Sequence, residues 1–241
     1  MTSAGASGEI ARSAYDEAFP RVGDALTLYV WRPLAFNPVR LALGAGVPAA
    51  AAIATEFLLA MLVFACFWGG RYWLGLLISV AVMLVGVVAL MMGRLTHASP
   101  AVNRLRSAIE LIYPLLWWWG WEHGLAAYGR PFEPIYATMV LWVVVGGAIA
   151  IHVVEALAMH RFNGLEIHAW RPLDSRFRLV SAGRNSNLAI LAASLLFRRP
   201  DSGFVIVAWS ILIGLIFHSV RLAQLTEQQS QRHKITSWLD R

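Results

Sequence analysis

The sequence predicts an all-α integral membrane protein in which six transmembrane helices follow an interfacial amphipathic helix. Three observations carry this prediction. Apolar residues make up 58% of the 241 residues and charged residues only 14%, whereas a soluble domain usually carries about 25% charge. The apolar residues gather into stretches, most of which reach the roughly 20 residues that a bilayer-crossing helix needs. The basic residues, 20 in all and every one but Lys234 an arginine, fall mostly on one side of those stretches.

The chain divides into three parts: a cytosolic or interfacial segment over 1–45, a membrane domain over 46–224 and a cytosolic tail over 225–241. Met1 to Gly8 has neither a basic flank nor an apolar run, so no cleavable signal is expected. Between Ile10 and Leu28, the residues Ile10, Tyr15, Ala18, Phe19 and Val22 recur roughly at helical spacing, interrupted by Pro20. Trp31, Pro33, Leu34 and Phe36 follow among arginines. Such a mixture suits a helix lying in the headgroup region; a disordered tail before Pro33 is the alternative. The spans then read Val47–Trp68, Tyr72–Met92, Ala108–Gly129, Ile135–Met159, Asn187–Phe197 and Phe204–Leu222. The fifth is about half the needed length, so it starts earlier, sits deep or is covered by protein. The tail after Gln224 is polar and is expected to fray.

Sixteen of the 20 basic residues lie in the N-terminal segment, the second-to-third loop, the fourth-to-fifth loop and the tail; Arg71, Arg130, Arg198 and Arg199 lie opposite. The positive-inside rule places the richer side, with both termini, in the cytosol. A basic chain this apolar points to lipid phosphates, and no nucleic-acid partner is expected. The single cysteine, Cys66, excludes an internal disulfide and a multi-cysteine metal site.

Ionisable residues inside spans are costly and are candidates for function. Glu56 needs a partner, such as an Arg from another helix, or stays protonated; a structural hydrogen bond is the plainer reading. His152, Glu155 and His160 share roughly one helix face, but a metal site needs more ligands than these. Trp117, Trp118, Trp119 and Trp121 suit an aromatic belt at the interface better than a cofactor box. Arg94, Arg104, Arg106, Arg161, Arg178 and Arg184 flank the cytosolic mouths of adjacent spans. Their forked guanidinium groups suit phosphate oxygens, and Asn185 and Asn187 offer helix-start positions whose free N–H groups attract anions. The motif Trp31-Arg32-Pro33-Leu34 recurs as Trp170-Arg171-Pro172-Leu173. Chance and a shared interfacial turn explain this more simply than duplication.

Over about residues 28–224 the chain resembles the CDP-alcohol phosphatidyltransferase family. The likeness rests on Trp31 to Leu41, on Ile109-Glu110-Leu111-Ile112-Tyr113-Pro114, on Gly164 to Leu179 and on Gly183-Arg184-Asn185-Ser186-Asn187-Leu188. The resemblance implies the six-span fold and a bacterial inner-membrane location. It also implies a signature, D-x2-D-G-x2-A-R-x8-G-x3-D-x3-D, whose four carboxylates hold two metal ions against a diphosphate. Here Ala89 and Met92 stand at the first two carboxylates, Gly93 is kept, and Thr96 and His97 replace the Ala-Arg pair. Strict spacing puts Glu110 on the third Asp and Pro114 on the fourth; aligning on Ile109–Pro114 puts Arg106 on the third and Glu110 on the fourth. Either way at least three carboxylates are lost, and apolar Met92 and cationic Arg106 oppose a dimetal site.

The expected protein is therefore a non-catalytic member of that family, with a vestigial site at Ala89, Met92, Gly93, His97 and Glu110 and no Mg²⁺ or Mn²⁺. It is expected to bind phospholipid through Arg94, Arg106, Arg178, Arg184, Asn185 and Asn187, or to partner another membrane protein or a second copy of itself. The alternatives are a phospholipid-synthesis enzyme with an atypical, metal-free site at Arg94, His97, Arg106 and Glu110, and a structural subunit of a larger membrane complex.

Overall fold

A computed structural model describes residues 11–181, 183–231 and 235–240. Ile10, Arg232, Lys234 and Arg241, which enter the pattern above, lie outside them. Every regular element among the described residues is helical: α1 (Arg12–Ala18), α2 (Arg32–Gly44), α3 (Ala49–Trp68), α4 (Tyr72–Leu95), α5 (Pro100–Ala127), α6 (Pro134–Arg161), α7 (Pro172–Val180), α8 (Arg184–Leu196) and α9 (Pro200–Ser230).

Prolines set many of the starts. Pro100, Pro134, Pro172 and Pro200 each occupy the first turn of their helix, where a missing N–H costs nothing and φ is already helical. Ser99 and Glu133 cap α5 and α6 by accepting from the Val102 and Tyr136 N–H groups. α1 ends just ahead of Pro20, as the restriction on the residue before a proline requires. The first Trp-Arg-Pro-Leu copy lies within a continuous helical run. A π turn over Thr27–Trp31 leads straight into α2, with the Arg32 N–H reaching back to the Thr27 carbonyl. The second copy crosses from an extended Arg171 into α7. The two copies thus share no turn, and sequence identity alone links them.

Four helices, α3, α4, α6 and α9, are long and apolar enough to cross a membrane. This is a membrane protein. α5 has 28 residues but carries Arg104, Arg106, Glu110 and Glu122, and α8 has only 13 residues. Large apolar side chains such as Leu58, Leu77, Trp142 and Trp209 are exposed on the outer faces, where lipid would meet them. α9 stays helical eight residues past Leu222 because Leu225 is buried against Ala158, Phe162 and Trp170 and the Arg161 Nε donates to Gln229.

The helices form two groups. α3 packs between α4 and α5, with α2 on α4; α6 and α8 pack on α9. The groups meet where α5 touches α6 and α9 and where α4 touches α8. α3 and α5 run parallel at very close range. Down their seam, the Tyr113 hydroxyl donates to Glu56 at 3.0 Å, the Trp117 indole to the Ala60 carbonyl at 2.8 Å, and Gly120 and Gly124 lie against Phe64 and Phe67. The Gly-x-x-x-Gly spacing of Gly120 and Gly124 is what lets these backbones approach. Glu56 therefore takes the structural hydrogen bond, from Tyr113 and not from an arginine.

Candidate functional site

Between the two helix groups lies a cavity of about 340 Å³. α4 contributes Gly86 and Leu90, α5 Glu110 and Trp118, α6 Ile151 and Glu155, α7 Arg178, and α8 Arg184 and Asn187; the segment over 20–27 lies across it. A second cavity of about 220 Å³ is lined by Glu155, Met159, Glu166, His168 and Arg178. Glu155, Arg178 and Val22 border both, so the two spaces adjoin. The C-terminal part of α6, the loop after it, the end of α7 and the start of α8 all contribute, and these belong to the arginine-rich side of the chain.

The acids around the larger cavity are already engaged. Asp24 accepts from the Thr27 N–H, the Thr27 hydroxyl and the Asn185 amide. Glu110 pairs with Arg106 at 2.6 Å, one helical turn apart. Glu155 faces two imidazoles. The two guanidinium groups are not so matched. Among the described residues neither Arg178 nor Arg184 has an ion-pair partner. Arg184 points its Nε at the Met83 sulfur, a weak acceptor, and lies over the Tyr113 ring at 5.0 Å. Glu110, Glu56 and Asp24 attract Arg184 from a distance and Glu155 attracts Arg178, but among the described residues no carboxylate reaches ion-pair distance of either, so both keep donors that face the space.

Of the residues predicted to hold a lipid phosphate, Arg178, Arg184, Asn185 and Asn187 surround this one cavity. Asn185 is committed to the N-terminal segment, accepting from the Trp31 indole and donating to Asp24 and Thr27. The Asn187 side-chain oxygen is buried without a hydrogen-bond partner. Arg94 is elsewhere: it donates to the Ala18 carbonyl at 2.7 Å and lines a separate cavity with Arg21. Arg106 is held by Glu110. Of the vestigial positions, Ala89, Met92 and Gly93 are buried within α4, and His97 is exposed beyond its end.

One cluster escapes sequence reasoning. The Nε2 atoms of His218 on α9 and His168, in the 3₁₀ turn Ile167–Ala169, lie 3.0 Å apart. The Glu155 carboxylate lies 3.1 Å from the first and 3.4 Å from the second. Both imidazoles are buried. Burial pushes His168 below its ordinary pKa, and the neighbouring Glu155 pulls the other way. Of the trio His152, Glu155 and His160, only Glu155 belongs to this cluster. His152 turns its Nδ1 to the Ala148 carbonyl of its own helix, and His160 is exposed. A buried His218 in an apolar span was the available signal; its partners lie 50 and 63 residues away.

No protein-family model matches the chain, and no curated protein matches it.

Proposed function

We propose that this chain is a six-span bacterial inner-membrane protein, both ends cytosolic, that binds the phosphate of an anionic phospholipid in the cavity between Arg178 and Arg184. The observation that carries the reading is the donor set of the cavity: Asp24 and Glu110 are held by close neighbours, whereas among the described residues neither Arg178 nor Arg184 has a carboxylate at ion-pair distance. A half-buried guanidinium with no carboxylate against it is costly, and a phosphate would serve both at once through charge-assisted hydrogen bonds. The apolar wall formed by Leu90, Ile151 and Trp118 suits the start of an acyl chain. The likeness to CDP-alcohol phosphatidyltransferases motivates a non-catalytic role, with no Mg²⁺ or Mn²⁺ at Ala89 and Met92. The metal-free enzyme gains no support, because Arg94 and His97 do not line this cavity and Arg106 is spent on Glu110.

Six spans require α5 and α8 to join the four apolar helices, α8 deriving shelter from α9 and α4. Reporter fusions placed after Arg71 and after Leu95 should then report opposite sides of the membrane, the second one cytosolic. The same side for both would refute the topology.

Each charge-assisted contact is worth about 1.5–3 kcal/mol. Arg178→Ala with Arg184→Ala should therefore remove at least 90% of the anionic lipid that copurifies with the parent protein, measured by mass spectrometry. Equal lipid in parent and double variant would refute the reading. Titration of delipidated protein with inorganic phosphate and with anionic-lipid vesicles separates the sources: the account expects saturable binding of the lipid, and preferential binding of free phosphate would contradict it.

A further inference from the structure

Glu155, His168 and His218 do not resemble an ordinary hydrogen-bonded trio. The Nδ1 of His218 lies 2.6 Å from the Gly214 carbonyl. A carbonyl only accepts, so Nδ1 carries the proton, and in the neutral ring Nε2 presents a bare lone pair. That lone pair faces a second imidazole nitrogen at 3.0 Å and a carboxylate oxygen at 3.1 Å. His168 can supply one proton through its own Nε2. That proton satisfies one of the three close contacts and leaves the His218 Nε2 lone pair directly against the Glu155 carboxylate, unless His218 takes up a second proton.

A single cation resolves all three. In a tetrahedral site with bonds of about 2.0–2.1 Å, ligand atoms stand roughly 3.3–3.4 Å apart. The observed separations of 3.0, 3.1 and 3.4 Å come close to that. An ion at such bond lengths from all three atoms would sit about 1 Å out of their plane, with its fourth position open. The ligands come from α6, the turn after α6 and α9, three segments that the fold alone converges. The three ligand atoms form the metal-competent group found among the described residues.

We propose that Glu155, His168 and His218 form a binding site for one Zn²⁺ or a similar borderline divalent ion. Two imidazoles and one carboxylate favour such an ion over Mg²⁺, which prefers an all-oxygen octahedron. The Gly214 carbonyl fixes the His218 tautomer, a second-sphere arrangement usual for metal-bound histidine. Glu155 and His168 line the smaller cavity beside Arg178, so the open position faces that space. The ion, Glu155 and Arg178 together carry a net positive charge, and an anion or hydroxide is the expected fourth ligand. The site does not rest on the headgroup reading, and its test uses delipidated protein.

The test takes the full chain, purified in detergent without a polyhistidine tag and stripped with a chelator. Co²⁺ is followed by visible absorption and Zn²⁺ by calorimetry. The expected result is one Co²⁺ per chain with the intense bands of a four-coordinate site, displaced by Zn²⁺ and not by excess Mg²⁺. Loss of groups outside the ligand sphere already costs 10–100-fold in affinity, so His168→Ala and His218→Ala should each cost roughly 100-fold or more. Helicity and monodispersity check that the variants fold. Glu155→Gln, which keeps the shape and removes the anionic ligand, serves where a histidine variant does not fold, and it too should weaken binding at least tenfold. Absence of a four-coordinate Co²⁺ spectrum in the parent protein would leave a shared proton as the occupant and overturn the proposal. Unchanged affinity in any folded variant would overturn it as well.

Discussion

Removing Arg221 should destabilise the protein by about 3–5 kcal/mol, the cost of leaving a buried carboxylate without its partner. Asp174 is fully buried at the first turn of α7, and Arg221 on α9 reaches it at 2.7 Å. Burial pushes the Asp174 carboxyl above its ordinary pKa, and the Arg221 guanidinium opposes that push. Arg221 also donates to Gln224 and lies over the Phe217 ring, while Phe177 of α7 stacks on Phe217 at 3.9 Å. α7 is only nine residues long, and this ion pair and stack tie it to α9, while the Ser175 hydroxyl ties it to the His168 carbonyl. Because α7 carries Arg178, the pair also holds one side of the cavity. Arg221→Ala and Asp174→Ala should each lower the midpoint of thermal unfolding in detergent. Asp174→Ala combined with Arg221→Ala, which removes both charges together, should lose much less than the two single changes summed. Strict additivity would mean that the two side chains do not act together.

Gly124→Ala should be nearly as damaging, for a steric reason. A methyl group at position 124 of α5 would overlap the Phe67 carbonyl oxygen and crowd the Tyr72 hydroxyl and the Gly70 nitrogen. The carbonyl belongs to the backbone and cannot rotate away, so α3 and α5 must separate. Overpacking of this kind costs about 1–3 kcal/mol or more, outweighing the roughly 1 kcal/mol that alanine gains over glycine in a helix. Separation would also strain the Trp117 and Tyr113 hydrogen bonds lower on the same seam. Gly146 on α6 provides the contrast. An added methyl there meets nothing, so Gly146→Ala should be neutral or stabilising by up to about 1 kcal/mol. Similar unfolding midpoints for the two variants would contradict the close α3–α5 packing.

The membrane-spanning character was legible because hydropathy and length act locally. α3, α4, α6 and α9 start and end within a few residues of the apolar limits, adjusted where proline fixed a start or Leu225 found a core to extend into. α5 was harder to read, because its polar residues serve one face while Trp117 and Trp121 fill the other. The metal-ligand cluster was not legible, since its members lie on three segments that only the fold brings together. Arg106 and Glu110 show a different limit. Their spacing of four residues on one helix makes them natural partners, and the ion pair at 2.6 Å leaves Arg106 no charge to spare for a ligand. Asn185 sits at a helix start, where backbone N–H groups suit an anion, while its side chain fastens Trp31, Asp24 and Thr27, contacts that its position in the sequence does not reveal. Position along the chain can suggest which residues gather, but the donor and acceptor count at the gathering point decides what each can still bind.

An anionic headgroup held directly by arginines leaves its own trace in a density map. An experimental density map of the protein crystallised from a lipid phase tests it most directly. The expected result is a phosphate-sized density between the guanidinium groups of Arg178 and Arg184, continuous with acyl density along Leu90 and Ile151. A cavity holding only water, with both arginines turned to carboxylates, would contradict it.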